Sequence, residues 1–198
     1  MEEAFGRFVN VVDVEATCWT GQPPPGETNE IIEIGVCVVD TADWRRTERH
    51  RIIVRPRRSR VSPFCTELTG LTQAEVDRGV DFATACAQLD GELLGRFRTW
   101  ASWGDYDRHQ FERQCGPGGA AYPFGSRHIN IKQHFADAFG LRRGIGMSQA
   151  LDKAGLPLEG RHHRGDDDAW NIGALVIELA RLGHPITAAT TTKADFTS

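Results

Sequence analysis

The sequence predicts an α/β protein whose mixed five-stranded sheet is flanked by helices. Three segments rich in Val and Ile come first, at residues 8–15, 31–39 and 47–54. The short connections between these segments favour an antiparallel meander. Afterwards helical and strand-like patterns alternate, which favours two further strands in a parallel arrangement.

The remaining elements follow from hydrophobic spacing in chain order. The pattern predicts helices near residues 72–77, 82–97, 131–138, 147–154 and 167–182. A fourth strand near residues 99–103 leads into a helix that starts at Asp107, and a short fifth strand is expected near 128–131.

The length of 198 residues favours a single domain, which we place at residues 1–183. After Gly183 the chain becomes rich in Thr and Ala and loses its periodicity, so residues 184–198 are predicted to form a flexible tail. No apolar run approaches the ~18 residues of a membrane helix, and the acidic N-terminus lacks a signal-peptide layout. We therefore expect no membrane association.

Charge and cysteine usage narrow the function classes. The net charge of −4 argues against a broad basic surface that binds duplex nucleic acid non-specifically. The 5 cysteines are scattered singly, without a C-x-x-C pair, which argues against a disulfide framework and a structural zinc site. The expected compartment is the reducing cytoplasm.

Asp13 and Glu15 form a D-x-E pair near the end of the first predicted strand. Alternate residues of a strand share a face, so the two carboxylates point the same way, roughly 6.6 Å apart at Cα. Exposed acids at a sheet rim are the commoner explanation of such a pair. Here the pair follows a nearly unbroken apolar strand, where an unpaired charge is costly, and this favours a functional role.

The fourth predicted strand is followed by two further acids. Asp107 is in helical phase with the apolar Phe111, whereas Asp105 is in phase with polar residues, so Asp107 is expected on the core-facing side. Asp107 would also suit the N-cap of this helix, and the sequence alone leaves that alternative open.

A histidine precedes an aspartate by five residues in two overlapping ways, as His162 with Asp167 and as His163 with Asp168. Asp168 lies on the apolar stripe of the last helix, whereas Asp167 lies on a more polar face, so the pair His163 and Asp168 is preferred. The other acids at this helix start would favour its dipole, and His162 is expected to be a solvent-exposed neighbour.

The four inward-facing acids are expected to converge at one end of the sheet. Clustered carboxylates repel one another unless cations lie between them, and an all-oxygen site favours a hard ion such as Mg²⁺ or Mn²⁺. The sequence therefore predicts a divalent-metal site formed by Asp13, Glu15, Asp107 and Asp168.

The order Asp-x-Glu, Asp, His-x4-Asp resembles the DEDDh family of 3′-5′ exonucleases, which has a ribonuclease-H-like three-layer fold. The resemblance extends over about residues 8–182 and is closest to the branch of small-RNA and histone-message 3′ exonucleases. It is carried by the segments DVEATCW, NEIIEIG, FCTELTGLTQAEVD, WGDYD, RHINIK and GLPLEGRHHRGDDDAWNIG.

The resemblance implies an enzyme that removes nucleoside 5′-monophosphates from the free 3′ end of a single-stranded nucleic acid, with RNA favoured over DNA. Two divalent cations about 3.5–4 Å apart would act on the scissile phosphate. Asp13 would bridge them, Glu15 and Asp168 would complete the shell of the first, and Asp107 would serve the second. His163 would be the general base, for which an unperturbed pKa of about 6.5 is suitable.

The resemblance also implies a pocket for the 3′-terminal nucleotide. Phe64 and Tyr106 would stack on the base, although a buried core position is an equal alternative for Phe64. The backbone of residues 16–17 (Ala16 and Thr17) and the region of Leu68 and Thr69 would contact the last sugar. Further assignments are Trp19, as a stacking residue or as a cover of the turn, and Arg57, Arg58 and Arg60, as contacts to upstream phosphates or as solvated charges.

Two alternative functions are compatible with the sequence. A DNA proofreading exonuclease would need a segment that docks on a polymerase, and only residues 184–198 could supply one. A non-catalytic nucleic-acid-binding module would have lost an acid or the histidine, and the sequence shows no such loss.

Overall fold

The computed structural model describes residues 6–116 and 119–186. The predicted mixed five-stranded sheet is confirmed, with the strand order β3-β2-β1-β4-β5. Its strands are β1 (Phe8–Ala16), β2 (Ile31–Asp40), β3 (Arg45–Ile53), β4 (Thr99–Ser102) and β5 (His128–Asn130). Strands β1, β2 and β3 pair antiparallel, whereas β4 pairs parallel with both β1 and β5.

Within the described ranges seven helices flank the sheet. They are α1 (Pro63–Thr69), α2 (Gln73–Val76), α3 (Phe82–Gly91), α4 (Tyr106–Gln114), α5 (Ile131–Ala138), α6 (Met147–Ala154) and α7 (Gly165–Arg181). None of the helices in this part of the chain has the length and apolar character needed to cross a bilayer.

The side-chain alternation of β1 divides the core into two layers. Val9 and Val11 pack with α5, α6 and α7 on one face of the sheet. Val12 and Val14 pack with α3 and α4 on the other face. Asp13 is in phase with Val9 and Val11, so β1 presents its acidic end to the same side as α7. This alternation decides which helix meets the acids.

Helix α1 was not predicted, although its end signals are present in the sequence. Ser62 caps the helix by accepting a hydrogen bond from the Cys65 backbone N–H at 3.0 Å, and Pro63 occupies the first turn. Gly70 ends the helix in the left-handed conformation, with φ of 74°. The helix is short and carries few apolar residues, so periodicity alone does not reveal it.

Helix α3 is shorter than the predicted residues 82–97. It ends at Gly91, and the chain then turns through Leu94, whose φ is 53°. Leu93 stays buried although it lies outside the helix, and its carbonyl accepts a hydrogen bond from Asn10 Nδ2 at 2.8 Å. The apolar spacing predicted a longer helix because Leu93 is buried, but Leu93 reaches the core from a turn and not from the helix.

Packing continues beyond Gly183, where the predicted tail begins. Ile186 is 5% exposed and belongs to the core layer of α7, and the backbone N–H of His184 donates to Leu179 O at 2.8 Å. The rest of the predicted tail, residues 187–198, lies outside the described residues.

Candidate active site

Strand β1 carries Asp13 and Glu15 near its C-terminal end, where it pairs with β2 and extends beyond its pairing with β4. Glu15 is 8% exposed and pairs in register with Glu33 of β2. The carboxylates of Asp13 and Glu15 accept no hydrogen bond and form no ion pair with any other described residue. Asp13 is partly buried, and two neighbouring carboxylates without partners repel each other, so the pair indicates a place for a cation.

Asp107 reaches the same strand from the start of α4. It is 4% exposed, and its Oδ1 accepts a hydrogen bond from the Val14 backbone N–H at 2.9 Å. The N-cap of α4 is Asp105, so the alternative that Asp107 caps the helix is wrong. Asp105 instead accepts a hydrogen bond from Asn130 Nδ2 at 2.7 Å. The parallel pairing of β4 with β1 brings the start of α4 to the acidic end of β1.

Helix α7 contributes the fourth acid. Asp168 is 4% exposed, and Oδ2 of this residue accepts the backbone N–H of His163 at 2.9 Å. One carboxylate oxygen each from Asp13, Glu15 and Asp168 lies within 4.8 Å of the other two. Three carboxylates at this separation can hold a divalent cation together, which an isolated acid cannot.

The electrostatics of the cluster are those of carboxylates with little counter-charge. Removal from water, followed by the charge of Asp107, raises the pKa of Asp13 well above its ordinary value. Burial and then the charge of Asp168 raise the pKa of Glu15 to about 8. Burial also raises the pKa of Asp107 to about 7 and that of Asp168 above its usual range. A cation at the cluster would reverse these shifts by favouring the charged forms.

His162 and His163 form a stacked pair beside Asp168, with ring centroids 4.0 Å apart. The sequence predicted that His162 is a solvent-exposed neighbour, whereas in the structure it is partly buried and contacts Asp168. Its Nδ1 lies 2.9 Å from Asp168 Oδ2, and only 38% of its side chain is exposed. The backbone of His163 has φ of 65°, and this left-handed turn places both rings on the same side of the chain.

The imidazole of His163 has no hydrogen-bond partner among the residues that the structure describes. Burial, followed by the charges of His162 and Arg161, lowers the pKa of His163 below its ordinary value. The ring is therefore neutral at neutral pH and can accept a proton.

The acids that precede Asp168 form ion pairs with β3. Arg49 Nη2 lies 2.8 Å from Asp166 Oδ2 and also contacts the Asp167 carboxylate. Asp167 Oδ2 further accepts the backbone N–H of Arg161 at 2.9 Å. Asp166 and Asp167 therefore hold the first turn of α7 against the sheet edge and point away from the acid cluster.

Glu33 is a functional candidate that sequence reasoning missed. It is 0% exposed, its Oε2 accepts the backbone N–H of Gly165 at 2.8 Å, and its other oxygen contacts Arg51 Nε. Glu33 thus ties the start of α7 to β2, next to Glu15. A fully buried acid in an apolar strand, within NEIIEIG, was the signal that could have revealed it.

Arg164, at the N-cap of α7, is a second missed residue. Its Nη1 atom is buried and has no hydrogen-bond partner among the described residues. The positive charge of Arg164 lowers the pKa of Glu15, but burial and the neighbouring acids raise it more strongly.

The predicted substrate residues differ in exposure. Tyr106 is 52% exposed, and Phe64 is partly exposed and belongs to none of the hydrophobic clusters of the described chain, so the core alternative for Phe64 is not supported. Trp19 and Leu68 are also partly exposed.

Thr17 and Thr69, in contrast, are both 0% exposed. The Thr17 hydroxyl donates to Thr28 O at 3.0 Å, and the Thr69 hydroxyl donates to Cys65 O at 2.9 Å. Ala16, at 7% exposure, lies beside them and its carbonyl faces Cys65 Sγ. The contacts of Ala16, Thr17, Leu68 and Thr69 with a sugar stay predictions.

The residues present fit a divalent metal. The acid cluster offers only carboxylate oxygens, which hard cations prefer, and the carboxylates of Asp13 and Glu15, which have no partners, are costly without one. No cysteine of the described chain belongs to the side-chain groups that could hold an ion, although Cys18 lies close enough to Glu15 for their charges to interact.

Comparison with known proteins agrees with this geometry. A family model described as Exonuclease matches residues 11–176. The "3'-5' exonuclease Snipper" of Drosophila melanogaster is 31% identical over 89% of this chain and 70% of its own length. The "3'-5' exoribonuclease 1" of Homo sapiens is 29% identical, and the match covers 91% of this chain but only 54% of that protein.

A solved structure gives the same result. The nuclease domain of 3'hExo, described as a DEDDh family member bound to rAMP, superposes with a TM-score of 0.77 at 28% identity. The match covers 91% of this chain and 94% of that domain.

The fold and the acid cluster together define a ribonuclease-H-like 3′-5′ exonuclease of the DEDDh type, a class that depends on divalent metal. The chain belongs to the exonuclease family, and the resemblance predicted from the sequence is confirmed.

Proposed function

We propose that this exonuclease removes nucleoside 5′-monophosphates from the free 3′ end of single-stranded RNA, and acts less well on DNA. The observation that carries the proposal is the convergence of Asp13, Glu15 and Asp168 beside a neutral histidine. The preference for RNA is supported by the relative named an exoribonuclease and by the related domain bound to rAMP.

We propose that Asp13, Glu15, Asp107 and Asp168 hold two divalent cations, Mg²⁺ or Mn²⁺. When bound, such cations neutralise the charge that develops on a phosphodiester and lower the pKa of water. Asp13 is suited to a shared position because both Glu15 and Asp107 lie beside it, as their effects on its pKa indicate. Asp107 keeps one oxygen on the Val14 N–H, which fixes the orientation of its other oxygen.

His163 is the proposed general base. Its lowered pKa keeps the ring neutral at neutral pH, so a ring nitrogen can take the proton of the attacking water. The hydrogen bond from its backbone N–H to Asp168 fixes the distance between this base and the acid cluster. His162, through Nδ1, orients the Asp168 carboxylate from the other side.

The terminal nucleotide is proposed to lie between α1 and the start of α4. Tyr106 directly precedes Asp107, and Phe64 lies partly exposed in the first turn of α1. Both rings offer an apolar face that any base can stack on.

The cytoplasm is the proposed compartment, because the five cysteines in the described chain are all free thiols.

A direct test compares degradation of matched 5′-labelled single-stranded RNA and DNA with Mg²⁺ or Mn²⁺. We expect a ladder that shortens from the 3′ end, faster on RNA, abolished by EDTA and by a 3′-phosphate. Full activity after rigorous chelation, or efficient cutting of a circular single strand, would contradict the proposal. Calorimetric titration with Mn²⁺ at an RNA-free site tests whether two ions bind.

A further inference from the structure

Residues 55–60, RPRRSR, form a loop between β3 and α1 that we call the arginine loop. The side chains of Arg55, Arg57, Arg58 and Arg60 are all exposed. None of these four guanidinium groups has a hydrogen bond or an ion pair with another residue in the ranges that the structure describes. Some exposed arginines elsewhere, such as Arg7 and Arg45, lie against carboxylates instead.

Carboxylates are present at the arginine loop, but they bind its backbone. The Glu30 carboxylate, in a residue that is 7% exposed, accepts the backbone N–H groups of Arg57, Arg58 and Ser59 at 3.0, 2.8 and 2.7 Å. Glu27 Oε2 accepts the N–H of Arg60 at 2.9 Å. The loop is therefore fixed from beneath while its cationic side chains stay free, an arrangement that presents positive charge at low entropic cost.

Hydrogen bonds also place the arginine loop beside the active site. Ser59 Oγ donates to Thr28 O at 2.6 Å, and the same carbonyl accepts the hydroxyl of Thr17, two residues beyond Glu15. Ser62 Oγ, next to the loop, donates to Cys18 O at 2.6 Å. The loop thus lies at the acidic end of β1 and leads directly into α1, which carries Phe64.

We infer that the arginine loop binds the phosphate backbone of the strand upstream of the 3′-terminal nucleotide; the inference rests on the proposed function. The protein has a net charge of −4 and an acidic cluster in its active site, both of which repel a polyanion. A local group of free guanidinium groups offsets this repulsion where the strand leaves the site. Guanidinium groups suit phosphate because they donate two parallel hydrogen bonds.

The test measures binding without catalysis. A 5′-fluorescein single-stranded RNA of about 20 nucleotides, long enough to extend beyond a single binding site, is titrated in EDTA and followed by anisotropy. The loop variant is Arg57→Gln/Arg58→Gln/Arg60→Gln. Its matched control is Arg78→Gln/Arg142→Gln/Arg143→Gln, which removes the same charge from three other exposed arginines without carboxylate partners. Thermal unfolding verifies that both variants fold.

We expect the loop variant to bind roughly tenfold or more weakly at low salt, and the control to bind within about twofold of the parent. The slope of log Kd against log salt should fall by about 2 in the loop variant, since each phosphate contact contributes about 0.7 on a single strand. In the presence of Mn²⁺, KM for the long RNA should rise more than kcat falls.

Equal affinities of parent and loop variant, or equal losses in both triple variants, would overturn the inference. A parent protein that does not bind RNA would also overturn it. The proposed function is tested by a different measurement. If the parent does not degrade RNA with Mg²⁺ or Mn²⁺, the proposed function fails, but the binding measured in EDTA still tests the arginine loop.

Discussion

At the residue scale, neighbours in sequence have opposite surroundings. Asp168 lies under the stacked histidines, whereas Asp167 contacts Arg49 and the Arg161 backbone N–H. The separation follows from the 3.6-residue repeat, which turns adjacent side chains about 100° apart. One carboxylate therefore belongs to the acid cluster and the other to the attachment of α7 on β3.

We expect Asp168→Asn to lower kcat far more than Asp167→Asn does. Loss of a charged oxygen from the cluster weakens metal affinity directly, beyond the roughly 10–100-fold typical of changes around a metal site. Asp167→Asn should instead lower stability, because it weakens an ion pair. Turnover, Mn²⁺ affinity and thermal unfolding measured for both variants decide between the two roles. An inactive Asp167→Asn together with an active Asp168→Asn would contradict this assignment and make Asp167 the metal ligand.

The two histidines allow a second comparison at this scale. His163→Asn should lower kcat by on the order of 10²–10⁴-fold, as expected for loss of a general base, with Mn²⁺ affinity retained. Asn is the suitable replacement because it tolerates the left-handed backbone at this position. His162→Asn should reduce Mn²⁺ affinity more than kcat at saturating metal, since Nδ1 contacts the Asp168 carboxylate. The reverse pattern would make His162 the base.

At the element scale, the active site depends on how closely α7 approaches β2. A Cβ atom at Gly35 would lie 2.0 Å from the Gly165 carbonyl carbon, so only glycine allows this approach. Glu33, two residues earlier on β2, accepts the Gly165 N–H and fixes the same contact by a hydrogen bond. Together they determine the distance between Asp168 on α7 and the acids on β1.

Gly35→Ala should therefore displace the start of α7, reduce activity, and lower the free energy of unfolding by about 1–3 kcal/mol, as overpacking typically does. Gly91→Ala is the matched control, because a Cβ at Gly91 meets nothing within 4 Å. Both variants are compared by denaturant unfolding and by turnover at saturating Mn²⁺. Retention of full activity by Gly35→Ala would show that the backbone relaxes without moving the site.

At the scale of the whole molecule, the acid cluster makes stability depend on pH and metal together. Glu15 and Asp107 have pKa values of about 8 and about 7 in the folded protein, whereas in the unfolded chain both pKa values are about 4. The folded state therefore binds more protons than the unfolded state between these limits. Since stability changes with pH in proportion to that difference, the metal-free protein should lose stability as pH rises toward about 8.

Thermal unfolding in EDTA should accordingly give a higher Tm at about pH 6 than at about pH 8, and Mn²⁺ should raise Tm more at about pH 8, where the ligands are ionised. Glu15→Gln should flatten the pH dependence in EDTA. His128, whose pKa burial lowers to about 4, gives the opposite slope only below about pH 6.5. A metal-free Tm that rises between the two pH values would contradict the cluster's electrostatics.

Much of this molecule could be predicted from local sequence. The strand period placed Asp13 and Glu15 on one face of β1, and helical phase placed Asp107 and Asp168 inward, where each is 4% exposed. Such periodicities depend only on backbone geometry, which the chain encodes residue by residue. The mixed sheet, with three antiparallel strands followed by parallel ones, and the exonuclease family followed from the same patterns and from the motifs around them.

Only the tertiary structure decided which groups meet across the sheet. Three contacts join segments that are distant in sequence or not helical. They are the contact of His162 with Asp168, the hydrogen bond from Gly165 N–H to Glu33, and the hydrogen bonds from three backbone N–H groups of the arginine loop to Glu30. Helical phase does not apply to the turn that precedes α7, so the contact of His162 with Asp168 could not be predicted from it. Contacts of this kind depend on how elements pack, because partners for buried polar groups are found wherever the fold brings them together.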